Sequence, residues 1–354
     1  MKILILFTYN KSFLSLFFVE LAKSLKSDGN EVSLFSLKTE EKPVYSIDGI
    51  NCTIKQKGSY IKNYRLIGRF IKQESPDIII SNFSYVNPAL FFGKIFRIKQ
   101  NIAWVHTLTE QTNPSKKQIF IKQQFLKLAN LVVVNSEYLK QDLVTHFKVP
   151  SFKLKAIPFW TTLGTFKKES TIELSPNSHF KIGCPGRLVP DKNQALIISA
   201  LVNLENNSSV TLYLAGDGAN KQNLEKQIAG HSLDAQVVFL GNLSSEAMRG
   251  FYTGMDLIVL PSLHEAFGLV FIETISQGVP VLVSSAFGAL TFIDSNYEGL
   301  SDIVFDPGDS ESLKLKIENI IQGKGKSNQY YLNLYENHFD KDTILHQFKQ
   351  LLIP

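Results

Sequence analysis

Short, mostly apolar runs alternate along the whole chain with stretches of helical period, and this alternation leaves little choice of fold. In the first half the runs are Lys2–Phe7, Glu31–Ser36, Asp77–Ser81, Asn101–Val105, Leu131–Val134 and Leu154–Ile157. In the second half they are Phe180–Gly183, Thr211–Ala215, Val237–Leu240, Asp256–Leu260, Val279–Val283 and Ile303–Phe305. A strand apolar at nearly every position must be covered on both faces, which is the condition of a parallel sheet wrapped by its crossover helices. The first crossover shows the pattern: Leu14, Phe17, Phe18, Leu21 and Leu25 recur at helical spacing, and Asp28-Gly29 closes the helix. The pattern predicts two tandem α/β domains of similar build, each a doubly wound parallel sheet, with a ligand cleft between them. The expected boundaries are 1–163 for the first domain and 180–335 for the second. A polar linker is expected at 164–179, from the Gly164, Pro176 and Lys-Lys-Glu-Ser composition of Thr161–Ser178. The final segment, 336–354, carries a helix over Asp340–Leu352 expected to pack back toward the first domain.

With 354 residues and 44% hydrophobic content the chain can fill two cores. No apolar run approaches the roughly 18 residues that span a bilayer; the longest candidate, Phe83–Phe96, contains Asn87, Pro88, Gly93 and Lys94. Met1–Tyr9 resembles the apolar part of a leader, yet it stops at Asn10-Lys11 with no small-residue cleavage site, and it reads better as a buried first strand. Two cysteines, Cys52 and Cys184, have neither metal nor redox spacing and fit a reducing cytoplasm. Charge is divided unevenly. Residues 1–165 hold 23 Lys+Arg against 11 Asp+Glu, a net of +12, while the remainder holds 14 against 21, a net of −7. A basic first half suits an anionic partner. Lys62, Arg65, Arg69 and Lys72 fall on one face of a helix whose other face, Tyr60, Tyr64, Ile67 and Ile71, is expected to pack on the sheet. Such a basic stripe is either a solvated face or a seat on anionic lipid at the inner face of a plasma membrane. No motif that reads nucleic acid accompanies the charge, so no nucleic-acid partner is expected. Gly323-Lys324-Gly325-Lys326-Ser327 imitates the end of a P-loop but lacks its leading glycine and follows a helix.

Chemistry is concentrated in loops that follow strands, where ligands bind in open α/β sheets. After the strand ending at Leu260 stands Glu265, and eight positions on stands Glu273, inside a segment that is apolar on every side. A carboxylate in such surroundings is either a paired structural group or a ligand contact. After Phe180–Gly183 comes Gly186-Arg187-Leu188-Val189-Pro190-Asp191-Lys192-Asn193. Asp191 is placed to cap the next helix, which puts Lys192 in its first turn. A cation there opposes the helix dipole unless it faces an anion that uses the same helix end. Arg187 offers a fork for phosphate oxygens. Gly216-Asp217-Gly218 opens the next helix; glycines here either admit a ligand or merely make a turn. His106 ends the strand Ile102–Val105, a position that serves packing as readily as chemistry.

Taken in order, Gly186-Arg187-Leu188 with Lys192-Asn193, Gly216-Asp217-Gly218, Leu260-Pro261-Ser262, Glu265-Ala266-Phe267-Gly268-Leu269 with Glu273, and Gly278-Val279-Pro280-Val281 resemble the GT-B glycosyltransferases of family 4. These are retaining enzymes built of two Rossmann-like domains that transfer a sugar from a sugar nucleotide. The resemblance implies that Arg187 and Lys192 bind the donor diphosphate and stabilise the leaving group. It implies that Glu273 takes the ribose hydroxyls and that Glu265 contacts the donated sugar. Backbone groups of Gly186, Gly216, Phe267, Gly268 and Leu269 would line the donor, and His106 would stand near the donated sugar. Catalytic roles thus fall to His106, Glu265, Arg187 and Lys192.

Two fixed cations can stabilise a departing diphosphate as a divalent metal would. Metal-dependent transferases typically carry an Asp-x-Asp pair after a strand, and the only such pair here, Asp340 and Asp342, sits at the start of the last helix and reads as capping. No metal and no cofactor are expected; the donor is a nucleotide sugar, a UDP-sugar ahead of a GDP-sugar. The acceptor would be a saccharide or lipid-linked glycan of a surface polysaccharide, capsule or lipopolysaccharide. Two departures from the family stand out. Thr8-Tyr9-Asn10-Lys11-Ser12 replaces a Gly-Gly pair after the first strand, and Ala289-Leu290-Thr291 replaces an acidic residue after Gly288. The rival readings are a non-catalytic nucleotide-binding scaffold that keeps the fold, or another enzyme of the same architecture such as a sugar-nucleotide epimerase.

Overall fold

The computed structural model describes residues 1–10, 12–40, 42–163, 179–205 and 207–352. The chain divides into two units: Met1–Thr162 together with the chain from Lys341 on, and Leu163–Asp340. The expected linker 164–179 lies, but for His179, outside the described residues.

The first unit is built on β1 (Lys2–Leu6), β2 (Glu31–Lys38), β3 (Lys42–Ile47), β4 (Ile50–Gln56), β5 (Ile78–Asn82), β6 (Gln100–Val105), β7 (Leu131–Val134) and β8 (Leu154–Ala156). They join in the order β3-β4-β2-β1-β5-β6-β7-β8. Every pair is parallel except β3–β4. Leu4, Ile5, Ile79, Ile80, Ile102, Val132 and Val133 are wholly buried, as a sheet covered on both faces requires. The antiparallel edge corrects the all-parallel expectation. Asp48 and Gly49 both have positive φ (48° and 77°), the geometry of a two-residue primed turn that returns the chain at once.

The helix Phe13–Ser27 buries Phe17, Phe18, Leu21 and Leu25 and starts at Ser12, whose hydroxyl accepts from the Ser15 amide. Helix Lys341–Gln350 belongs to this unit. Lys341 pairs with Glu20 at 3.0 Å, Lys349 with Asp28 at 2.7 Å, and the Phe348 ring stacks on Trp104 at 5.1 Å. The helix expected over Asp340–Leu352 is thus Lys341–Gln350, and a separate helix, Asn328–Phe339, precedes it in the second unit.

The second unit is built on β9 (Phe180–Pro185), β10 (Val210–Ala215), β11 (Val237–Gly241), β12 (Leu257–Leu260), β13 (Val281–Ser284) and β14 (Val304–Phe305). They form one parallel sheet in the order β11-β10-β9-β12-β13-β14. The chain starts at β9, winds outward through β10 to β11, then returns to the other flank of β9 as β12. The order reverses between β9 and β12, so helices leave the sheet on opposite sides there and open a crevice at the carboxyl ends of those two strands. A core of Ile182, Leu188, Ile197, Leu201, Leu212, Leu257 and Leu282 holds this edge rigid.

Candidate functional site

The loops that follow β9 and β12 carry Arg187, Lys192 and Glu265, which places all three at the point where the second sheet changes winding direction. After β9, Pro190–Lys192 makes a 3-10 turn and Asn193 takes the left-handed conformation (φ 54°) before helix Gln194–Val202. This corrects the reading of Asp191 as the cap: Asn193 holds that position, and its side chain caps nothing. Its amide nitrogen Nδ2 instead donates to the carbonyls of Pro261 (3.2 Å) and Pro307 (2.9 Å), tying the loop to the ends of β12 and β14. The Leu263 amide donates to the Asp191 carbonyl at 2.9 Å. Lys192 is thereby brought to Glu265, and the two side chains form an ion pair with 19% and 15% of their surfaces exposed. Arg187 is exposed, and its guanidinium makes no hydrogen bond or ion pair among the described residues.

Gly216 serves the neighbouring loop. Its φ is 156°, and a Cβ there would stand 2.0 Å from the Gly186 carbonyl oxygen. The Gly186 amide donates to Ala215 O and the Leu188 amide to Asp217 O, so the two loops interlock. Gly268 precedes helix Leu269–Ser276 with φ 98°, and a Cβ there would reach 2.1 Å from the Phe287 ring. The amides of Gly288 and Ala289 donate to the carbonyls of Glu265 and Phe267, pinning this turn to the segment after β13. Phe267 is itself buried and packs against Phe292 and Phe339, while Leu269 is half-buried.

Glu273 lies one turn into that helix. Its Oε2 accepts from the Tyr252 hydroxyl at 2.7 Å, and burial pushes the carboxyl up to about 7 despite that bond. Tyr252, buried in helix Ser245–Thr253, is a site residue that sequence reasoning missed; nothing in the local pattern separates it from an ordinary core aromatic.

His106 belongs to the first unit, at the carboxyl end of β6. Its Nδ1 lies 2.8 Å from Asn135 Oδ1, which also accepts from Trp104 Nε1 at 3.1 Å. Asn135 Nδ2 donates to the Ile157 carbonyl, which fixes the amide orientation. An oxygen facing Nδ1 places the proton on that nitrogen and leaves the lone pair on Nε2. Nε2 is buried and has no hydrogen-bond partner among the described residues. Burial lowers the imidazole pKa to about 4, so it is neutral at physiological pH. Asn135 was also missed, although a polar residue closing the apolar run Leu131–Val134 repeats the signal that singled out His106.

The basic stripe Lys62, Arg65, Arg69 and Lys72 is exposed, with Ile67 and Ile71 buried opposite. Tyr60 departs from expectation: it is 66% exposed, because it sits at the first position of its helix, beyond the sheet, and its ring stacks on Tyr64. Asp340 ends helix Asn328–Phe339 and Asp342 lies in the first turn of the next helix. Among the described residues no group of three or more His, Cys, Asp or Glu could hold a metal ion, and no helix is long and apolar enough to cross a membrane.

Comparison with known proteins gives the family and the fold. Residues 165–337 match the family model described as glycosyl transferases group 1, and residues 15–159 match that described as glycosyltransferase family 4. The chain belongs to the family 4 glycosyltransferases, and its two parallel-sheet units have the GT-B architecture. An uncharacterized glycosyltransferase of Methanocaldococcus jannaschii is 28% identical over 178 residues, 48% of this chain and 46% of its own length. D-inositol 3-phosphate glycosyltransferase of Corynebacterium jeikeium is 25% identical over 247 residues, 61% of this chain and 58% of its own. The chain therefore spans about half the length of the curated relatives it matches. Among solved structures, HepE of Anabaena in complex with UDP superposes with a TM-score of 0.78 at 21% identity, covering 99% of each chain. Sucrose-phosphate synthase from Thermosynechococcus elongatus gives 0.76 at 18% identity, covering 99% of this chain and 98% of the other. At these identities the likeness is one of fold.

Proposed function

We propose that this chain is a retaining glycosyltransferase that moves a sugar from a nucleotide donor, a UDP-sugar ahead of a GDP-sugar, to a saccharide or lipid-linked glycan. The observation that carries the reading is the gathering of Arg187, Lys192 and Glu265 at the winding reversal of the second sheet, with Glu273 one helical turn away. Arg187, unpaired and exposed, binds the diphosphate. Lys192 leaves Glu265 for the phosphate when the donor arrives, which frees the Glu265 carboxylate for hydroxyls of the donated sugar. Glu273 has one oxygen held by Tyr252 and offers the other to the ribose. The two cations carry the charge that develops as the sugar–phosphate bond breaks, so the transfer runs without a metal. The departing phosphate takes the acceptor proton, and the acceptor attacks from the same face. His106, neutral with a lone pair on Nε2, can accept a hydrogen bond from a sugar hydroxyl. Of the fold neighbours, HepE has been solved with UDP and with UDP-glucose, which favours uridine as the base. Work on surface polysaccharide at the inner face of the plasma membrane accords with the basic first unit.

The test is release of nucleoside diphosphate from a panel of UDP-, GDP- and ADP-sugars in EDTA, with water standing in for the acceptor. Release by the wild type and not by Glu265→Ala supports the reading. Release that requires added magnesium, or none from any donor, overturns it.

A further inference from the structure

The loop Gly323-Lys324-Gly325-Lys326-Ser327 takes no part in the transfer chemistry, yet it borders a cavity of its own. The cavity, of about 260 Å³, lies in the second unit between helix Ser310–Ile321, the segment Asp302–Ile303 and the start of helix Asn328–Phe339. Asp302, Lys316, Asn319, Lys324, Lys326 and Tyr331 line it.

Its place in the sheet separates it from the donor loops. Asp302 and Ile303 lead into β14, and the Tyr331 hydroxyl neighbours the amide of Val281, the first residue of β13. The cavity therefore sits at the amino edge of the second sheet, whereas Arg187, Lys192 and Glu265 stand on loops at its carboxyl edge. Open α/β sheets bind their substrates at the carboxyl edge, so a ligand here is not the donor.

Two observations point to an anion. The first is an excess of cations in a half of the chain whose net charge is −7. Three ammonium groups meet one carboxylate in this wall. Lys326 pairs with that carboxylate, Asp302, at 2.7 Å. Lys316 donates to the carbonyls of Ser301 (2.7 Å) and Asp302 (3.3 Å), and Lys324 to the side-chain oxygen of Gln322 (2.8 Å). Both of these ammonium groups thus bond only to neutral oxygens, and burial lowers the Lys316 pKa. Lys324 and Lys326 also precede helix Asn328–Phe339, whose positive end disfavours cations unless an anion joins them. The backbone makes room for this crowding: a Cβ at Gly299 (φ 78°) would stand 2.6 Å from Lys326 Nζ.

The second observation is the Tyr331 hydroxyl. Tyr331 is wholly buried, and its hydroxyl has no hydrogen-bond partner among the described residues. The neighbouring Val281 amide can only donate, so the hydroxyl proton faces no acceptor. A buried donor without an acceptor is costly, and an oxyanion in the cavity offsets that cost.

We propose that this cavity binds a phosphate group, free or as the monoester of a small polyol, with its oxygens on Lys316, Lys324 and the Tyr331 hydroxyl. Asp302 and Asn319 offer hydrogen bonds to the hydroxyls of an ester. The volume falls below the roughly 300 Å³ of the smallest drug-sized pockets, which excludes a nucleotide sugar. The site lies outside the transfer reaction and does not rest on the transferase reading.

The test is calorimetric titration with inorganic phosphate and with ribose 5-phosphate, at ionic strength held constant by potassium chloride. Ribose is the uncharged control. At least one phosphate probe should bind about tenfold tighter than ribose, and the tighter of the two identifies free phosphate or its ester as the ligand. Lys324→Met should weaken that probe about tenfold. Tyr331→Phe removes only an unsatisfied hydroxyl, so it should weaken the probe about fivefold and leave the ligand-free protein melting no lower than wild type. Arg187→Ala should bind the probe as wild type does, and UDP should not displace it. Phosphate probes binding no tighter than ribose, or unmoved by Lys324→Met, overturn the proposal. Binding lost in Arg187→Ala or displaced by UDP also overturns it, in favour of phosphate seated in the donor loops. A ligand-free Tyr331→Phe that melts below wild type would show that the fold already satisfies this hydroxyl, with the same consequence.

Discussion

Replacing Glu273 by glutamine should make the protein more stable at pH 8 and leave it nearly unchanged at pH 5, while weakening nucleotide binding at pH 8. The carboxyl ionises at about 7 in the folded chain against an ordinary value of 4.5, with burial as the cause. The unfolded chain therefore gives up this proton near pH 4.5 and the folded chain keeps it to about pH 7. The folded state binds more protons across that window, so stability declines with rising pH from 4.5 to 7 and then levels off. At full burial the shift is worth about 3 kcal/mol, and the partial exposure of the residue trims this to about 2 kcal/mol. Glutamine has no charge to desolvate and still accepts from the Tyr252 hydroxyl. Scanning calorimetry at pH 5 and pH 8 should show the Glu273→Gln transition of the second unit coinciding with wild type at the lower pH. At the higher pH it should lie about 4–8 °C above wild type. A stability difference that does not change between the two pH values would refute the reasoning. The nucleotide arm follows from the ribose role: a neutral amide accepts more weakly than a carboxylate, so affinity at pH 8 should fall about tenfold.

Gly216→Ala should destabilise the second unit by about 3 kcal/mol or more, because its Cβ would stand 2.0 Å from a backbone oxygen that cannot move without breaking the loop; urea unfolding measures this. Asn135→Ala should cost about 1–3 kcal/mol by stranding His106 Nδ1 and Trp104 Nε1, and nitrogen NMR should then show the imidazole losing its single tautomer. Activity profiled from pH 5 to 8 should carry no inflection removed by His106→Gln, since burial keeps this imidazole neutral down to about pH 4. Lys192→Met should weaken nucleoside diphosphate binding by about tenfold or more while Arg187 still contributes its share.

Both sheets were legible in the sequence because strands covered on two faces are mostly apolar, and runs such as Leu131–Val134 show this directly. The β3–β4 hairpin was not read, since Pro43 and the polar Asn51, Thr53 and Lys55 blur any apolar run. Asp48-Gly49 between the two segments was the available signal. In the site, residues on loops at strand ends could be placed because loop position follows from strand order. What depends on contacts between distant segments could not. Asn193 serves Pro261 and Pro307 instead of capping its own helix, and only the folded loops reveal that. Tyr252 meets Glu273 from another helix, and Asn135 meets His106 from another strand. Lys192 is a further case: its partner, Glu265, lies 73 residues away.

The central claim is that the carboxyl edge of the second sheet binds a nucleoside diphosphate through fixed cations. Calorimetric titration of UDP, GDP and ADP into the wild type and Arg187→Ala, in EDTA, tests it most directly. The account predicts micromolar binding of one of the three, UDP first, lost in the variant. A folded wild-type protein that binds none of them, or binds one equally well without Arg187, would contradict it.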